Sequence, residues 1–214
     1  GLLGSLENAR VLAGGQSLTP MMNFRYVMPD HIIDINKIPE LAGIKKDGDA
    51  LTFGAMTRQR DLEFSPLVKE RFPLMAEALP LLGHRQTRNR GTLGGSLCHL
   101  DPSAELVNVA AILNATLHAA SKRGQREIAF NDFALGYMTT ALAPDELLTG
   151  VTLPLPDKRC GHAFVEFARR HGDFAIVACS ALLRLDAKGA IAEARLAISG
   201  LAPAPLRPTA IEQA

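Results

Sequence analysis

No two cysteines in this 214-residue sequence form a C-x-x-C pair, and the three present, Cys98, Cys160 and Cys179, are odd in number and far apart. The chain therefore lacks the pattern of a disulfide framework, a zinc site or an iron–sulfur site, and a reducing cytoplasm fits it best. Excess charge is lacking too. With 23 basic and 22 acidic residues the formal net charge is +1, which gives no field to hold a polyanion, so nucleic acid is not an expected partner. Long hydrophobic runs are missing: the most apolar stretch, Leu106 to Ala120, is interrupted by Asn108, Asn114 and His118. It is too short to cross a bilayer and reads as a core helix, so no transmembrane segment is expected. The six histidines are scattered, with no H-E-x-x-H spacing, so no metal site is expected. Tyr26, Tyr137 and nine phenylalanines are too dispersed for a base-stacking surface. No charged segment followed by an apolar one opens the sequence, which starts abruptly at Gly1-Leu2-Leu3-Gly4. The natural start is expected upstream.

What is present suits a globular chain, since 47% hydrophobic residues are ample for a packed core. Val11 to Ala13, His31 to Ile35 and Leu51 to Phe53 read as short strands, with a turn at Asp47-Gly48. From Asp61 to Leu82 the apolar positions recur at helical spacing, and Pro66 and Pro73 divide the stretch into two or three short helices. Asp101-Pro102-Ser103 reads as a helix start, with Asp101 as the cap. Strands return at Thr116 to Ala120 and Glu127 to Phe130, and a linker is expected at Pro154-Leu155-Pro156-Asp157. Beyond it, Ala163 to Ala168, Ala175 to Leu185 and Ala190 to Ser199 read as three strands of a unit too short for a typical domain.

Two glycine pairs carry the chemistry. Ala13-Gly14-Gly15-Gln16-Ser17 and Thr92-Leu93-Gly94-Gly95-Ser96 each follow paired glycines closely with a hydroxyl. Such loops let backbone amides approach a bulky anion, and the serine adds a donor, so both can cradle a pyrophosphate; the alternative is two unrelated tight turns, which a matched pair of loops disfavours. Neither fits G-x-G-x-x-G or G-K-[ST], which disfavours the ordinary Rossmann and nucleotide-hydrolase readings. The spacing alone does not name the ligand.

The glycine segments, together with His31-Ile32-Ile33-Asp34-Ile35-Asn36, Arg88-Asn89-Arg90-Gly91 and Arg169-Arg170-His171-Gly172-Asp173-Phe174-Ala175, resemble the medium, FAD-binding chain of the carbon monoxide dehydrogenase and xanthine dehydrogenase family. The resemblance runs in order through nearly the whole chain. It implies an α+β architecture: an FAD-binding fold of the vanillyl-alcohol-oxidase (PCMH) type in two subdomains, at 1–52 and 53–156, then a truncated α+β C-terminal domain at 157–214. It further implies that Ala13, Gly14, Gly15, Gln16 and Ser17, with Thr92, Leu93, Gly94, Gly95 and Ser96, hold the diphosphate and adjoining ribityl of FAD. Glu105 would bind a cofactor hydroxyl, Leu82 and Leu148 would flank the adenine or isoalloxazine rings, and Phe174 would lie near the flavin face. Molybdopterin and [2Fe-2S] clusters would belong to a large and a small partner chain, commonly in a cytoplasmic dimer of heterotrimers. The chain would relay electrons from those clusters to NAD, oxygen or a quinone, with no general acid or base of its own.

Two positions depart from the family pattern. Glu105 stands where Asp is more frequent, and Val165 stands where some members place a lysine near the isoalloxazine. Both ends look trimmed against family length. The run His84 to Arg90 reads equally as a basic steering patch or a solvated turn. A proton relay through His99 and Asp101 is the weaker reading of those two residues, because a capping role accounts for Asp101. A self-sufficient flavin oxidase would need a substrate cavity and a positioned acid or base, for which no strong candidate appears. A scaffold that has lost flavin has no reason to retain both glycine pairs.

Overall fold

The computed structural model describes residues 1–213. The chain runs through β1 (Ala9–Leu12) and α1 (Leu18–Asn23) into β2 (His31–Asp34), which pairs with β1 in parallel, Val11 opposite Ile33. Parallel neighbours need a crossover, and the first glycine pair with α1 supplies it. A hairpin follows, β3 (Ile44–Asp47) to β4 (Ala50–Gly54), turning where Gly48 takes a φ of +56°. Next come α2 (Gln59–Phe64), α3 (Pro66–Arg71) and α4 (Pro73–Ala78). Pro66 and Pro73 open the last two, since a first-turn residue has no intrahelical use for its N–H.

Three more helices, α5 (Arg85–Arg90), α6 (Leu93–His99) and α7 (Glu105–Ile112), precede β5 (Thr116–Ser121) and β6 (Gly124–Ala129). The small elements α8 (Phe130–Phe133), β7 (Ala134–Gly136) and β8 (Thr139–Thr140) lead to the long β9 (Leu147–Pro154). An antiparallel five-stranded sheet results, in the order β3-β4-β9-β5-β6. The division anticipated between residues 52 and 53 falls inside its second strand. Leu51, Phe53, Leu117 and Val151 on the sheet and Leu74, Met75, Leu97, Leu106 and Ile112 on the helices are all buried in one core.

After Pro154 the chain forms β10 (Cys160–Ala168), β11 (Ala175–Leu185) and β12 (Ile191–Ser199), an antiparallel sheet in sequence order, then α9 (Thr209–Glu212). This sheet lies on α7, every residue of which is buried. Asn108 pins the contact: its Nδ2 donates to Ala197 O at 3.1 Å and to Ser199 Oγ at 2.9 Å, while Ser180 Oγ donates to its Oδ1. A fully buried amide must find such partners, and here they lie on two strands of the third sheet.

Several sequence expectations change. The stretch Leu106 to Ala120 is not one helix: α7 stops at Ile112 and the chain turns at Asn114, whose φ is +52°, into strand β5. Asn tolerates that left-handed conformation better than most residues. Asp101 does not cap α7. Its Oδ1 accepts the Ser103 N–H at 2.8 Å, closing a small turn, and the helix begins at Glu105 behind Ala104. The run from His84 forms helix α5 rather than a turn; His84, Arg85, Gln86, Asn89 and Arg90 are solvated as expected, but Arg88 is only 8% exposed. Arg88 Nε donates to Glu63 Oε2 at 2.8 Å and Nη1 to Leu82 O at 2.9 Å, which makes it an internal staple rather than a steering charge. Among the described residues no helix is long and apolar enough to cross a membrane.

Candidate functional site

The first glycine pair follows β1 directly. Asn36, just beyond β2, fixes the turn from behind: its Nδ2 donates to Ala13 O at 2.7 Å and to Asp34 Oδ1 at 2.6 Å. Arg58 Nη2 donates to Asn36 Oδ1 at 2.7 Å, and Arg58 Nη1 donates to Arg90 O. Gly14 presses against that second segment so closely that a Cβ on it would lie 2.8 Å from the Cα of Gly91. Gly15 has a φ of +74°, which a side chain would oppose. Gln16 Nε2 folds back onto Gly14 O at 2.9 Å. Among the described residues no protein group accepts the N–H of Gly14, Gly15, Gln16 or Ser17. Successive free amides around a left-handed residue form a concave nest for an anion.

The second glycine pair is built differently. Thr92 to Ser96 is not a loop of free amides but the opening turn of α6, with Thr92 as its cap. The Leu93 N–H donates to Thr57 O at 3.0 Å and the Gly94 N–H to Ala55 O at 2.8 Å. The Gly95 N–H donates to Thr92 Oγ1 at 3.1 Å and the Ser96 N–H to Thr92 O at 3.1 Å. These amides are already occupied. Gly94 is small because it packs on Ala55, where a Cβ would stand 2.6 Å from the alanine's own Cβ. Gly95 is small on the other side, where a Cβ would stand 2.7 Å from Thr92 Oγ1 and 3.7 Å from the Ala13 Cβ.

Between the two segments runs a groove of about 610 Å³. Ala13 to Ser17, Leu82, Thr92, Gly94, Gly95, Ser96, Glu105, Leu148 and Phe174 all line it. Leu93 does not. It is 2% exposed and sits in the core, because the helical turn points it inward. Val165 is also absent: it lies on the open face of the third sheet, 66% exposed, while its neighbour Glu166 lies near enough to Glu105 for their charges to interact.

The groove's acidic end is unusual. Glu105 is 7% exposed and, among the described residues, forms no ion pair. Burial pushes its carboxyl up to about 7 against the pull of its own N–H, with smaller pushes from the nearby Glu166 and Asp101 and a small opposing pull from Arg88. Burial also raises Glu166, with His171 opposing, and among the described residues Glu166 Oε2 has no hydrogen-bond partner. Glu146, further along the groove, is neutralised differently: the bidentate Arg126 pair, then the Ala143 N–H, hold it down to about 2. His99 and Asp101 both line the groove but share no hydrogen bond, and Asp101 spends its Oδ1 on Ser103. Among the described residues no cluster of three His, Cys, Asp or Glu could hold a metal ion.

Asn36, Gln59 and Glu166 escaped the sequence reading. Asn36 ends the His31 to Asn36 segment already singled out, but nothing in the sequence marks Gln59 or Glu166. The tie from Asn36 to the first turn has a measurable weight. Asn36→Ala should cost about 2–3 kcal/mol in urea unfolding, the worth of the three side-chain hydrogen bonds above, without removing any group that faces the groove.

Residues 1–156 match the family described as the FAD binding domain in molybdopterin dehydrogenase, and residues 162–214 match the CO dehydrogenase flavoprotein C-terminal domain. The sequence is 39% identical over 194 residues to the alpha subunit of the 6-hydroxypseudooxynicotine dehydrogenase complex of Paenarthrobacter nicotinovorans, covering 91% of this chain and 66% of that one. It is 38% identical to the carbon monoxide dehydrogenase medium chain of Hydrogenophaga pseudoflava, covering 96% of this chain and 72% of that one. Among solved structures, a cyanide-inactivated Cu,Mo-CO dehydrogenase is similar with a TM-score of 0.96 at 33% identity, covering 99% of this chain and 74% of that one. Quinoline 2-oxidoreductase from Pseudomonas putida 86 gives a TM-score of 0.91 at 36% identity, covering 96% and 71%. The chain spans about two thirds to three quarters of the length of these relatives.

Proposed function

Because this chain belongs to the FAD-binding family of molybdopterin dehydrogenases, we propose that it is the flavin-carrying, electron-relaying chain of a molybdenum hydroxylase. In this reading a large chain carries the molybdopterin and a small chain the [2Fe-2S] clusters, and the assembly is a cytoplasmic dimer of heterotrimers. The parallel pair β1–β2 and the five-stranded sheet with its helices form the two PCMH-type subdomains, divided ahead of β3 rather than at residues 52 and 53, and the third sheet begins a C-terminal domain. Bound FAD supplies a carrier that takes electrons singly and releases them as a pair to NAD, oxygen or a quinone.

The observation that supports this reading is the nest of unpartnered amides at Gly14 to Ser17, facing a second wall kept bare by Gly95. A diphosphate needs several donors in a concave surface and a backbone free of β-carbons, and the residues present fit that demand. Ser17 adds a hydroxyl donor. Glu105, at the other end, offers an acceptor to a sugar or ribityl hydroxyl. Leu82 and Leu148 supply apolar walls for planar rings, and Phe174, 70% exposed, stands at the mouth. No side chain in the groove is paired as a general base with an orienting partner, so the chain's own work is to bind, orient and exclude water.

The test is anaerobic mixing of the FAD-loaded chain with purines, N-heteroaromatics, aldehydes and carbon monoxide. No substrate should bleach the flavin absorbance until a reduced iron–sulfur partner chain is added. Bleaching by a substrate alone would replace the relay with a flavin oxidase.

A further inference from the structure

The wall between the two glycine segments contains a polar side chain that the protein leaves unsatisfied. Gln59 opens α2 and is 5% exposed. Its backbone N–H donates to Gly91 O at 2.9 Å, and its carboxamide folds over Gly91, where a Cβ would lie 2.6 Å from Cδ. Gly91 is thus bare to admit this side chain. Among the described residues Oε1 has no hydrogen-bond partner, although it is sealed from bulk solvent. A buried carboxamide oxygen without a donor is costly to keep, and native interiors seldom tolerate it without a reason.

Its position supplies one. Gln59 lines the same groove as the nest, and the Gly91 beneath it is the residue on which Gly14 packs. The carboxamide therefore sits where the two glycine segments meet, beside the free amides proposed to hold the diphosphate. Beyond the CH2 that joins each phosphate, the next groups along a flavin dinucleotide bear hydroxyls, on the ribityl chain on one side and on the ribose on the other. Oε1 itself is sealed against Gly91, but Nε2, which makes no hydrogen bond among the described residues, is not sealed. A hydroxyl therefore accepts from Nε2 or, with the amide turned over, donates to the oxygen that takes its place. A neutral amide also suits this place, because a carboxylate there would repel the phosphates.

Resting on the FAD reading above, we infer that Gln59 is a cofactor-positioning residue whose carboxamide holds a hydroxyl of the ribityl or ribose adjoining the diphosphate.

The experiment titrates FAD, and separately ADP, into the apo full chain and into Gln59→Met and Gln59→Glu, with fluorescence for the first ligand and calorimetry for the second. Gln59→Met keeps length and burial but removes the polar group, so FAD should bind about tenfold more weakly, the effect of one neutral hydrogen bond. Its apo melting temperature should hold or rise, because an unsatisfied group has gone. Gln59→Glu should bind still more weakly, by repulsion. Loss of FAD affinity with ADP unchanged assigns the hydroxyl to the ribityl, and loss of both assigns it to the ribose. Wild-type affinity for FAD in a folded Gln59→Met chain would overturn the inference alone. Failure of the wild-type chain to take up FAD would overturn the parent reading and this inference with it. Should the Met variant not fold, Gln59→Asn, with its amide withdrawn by one methylene, makes the same comparison.

Discussion

A Gly95→Val chain is expected to fold and to purify colourless, whereas Gly94→Val is expected not to fold stably at all. The two glycines are adjacent in sequence but face opposite ways. A Cβ at position 94 would stand 2.6 Å from the Ala55 Cβ and 2.8 Å from its carbonyl oxygen, both on the turn that joins β4 to α2. Backbone there cannot step aside without breaking the Gly94 N–H bond to Ala55 O, so overpacking of about 3 kcal/mol or more is expected. At position 95 the nearest fixed atom is the Ala13 Cβ at 3.7 Å, across the groove, and the closer Thr92 Oγ1 belongs to a side chain that can turn. Losing the Thr92 cap costs about 1 kcal/mol, which the fold should survive, but the valine fills the space between the two walls. Flavin content by absorbance, circular dichroism and apo-protein melting separate the outcomes. A folded Gly95→Val chain with stoichiometric FAD would remove Thr92 to Ser96 from the site.

Glu105→Gln should make the apo protein more stable at pH 8 by up to about 3 kcal/mol and change it little at pH 5. The sign follows from the direction of the shift. Glu105 titrates near 7 when folded, chiefly through burial, against an ordinary value of 4.5. Between those values the native state holds a proton that the unfolded chain releases, so stability falls as pH rises from 4.5 toward 7 and stays low above it. Glutamine keeps the shape of the protonated acid and cannot ionise. Urea unfolding of both apo proteins at the two pH values tests this. Parallel pH profiles would place the carboxyl in contact with water after all. FAD should work the other way: a hydroxyl donating to the carboxylate favours the charged form, so wild-type affinity should rise with pH between 6 and 8. Glu105→Gln should flatten that profile.

The sequence carried the coarse design because its signals were local. Paired glycines before a helix, prolines at helix starts and alternating apolar residues depend on near neighbours. What it concealed depended on partners far along the chain. Whether the amides of Thr92 to Ser96 were free turned on Thr57 and Ala55, whose carbonyls claim two of them. Whether Arg88 steered a ligand turned on Glu63, and whether Asp101 capped α7 turned on a closer amide at Ser103. Leu93 looked like a groove residue because it sits between groove residues, yet a helical turn sends consecutive side chains in different directions. Gln59 carries no motif at all. Its interest comes from burial without a partner, which only packing reveals.

The groove draws on Ala13 near the beginning of the chain and on Phe174 in the turn between β10 and β11 of the third sheet. A ligand that touches both is a tether as well as a prosthetic group. Any free energy gained by holding it is also free energy against opening the third sheet away from the first glycine turn, because only the closed arrangement binds. Loss of the flavin and opening of the third sheet then become one event seen from two sides, and the yellow colour reports that the chain is closed from end to end.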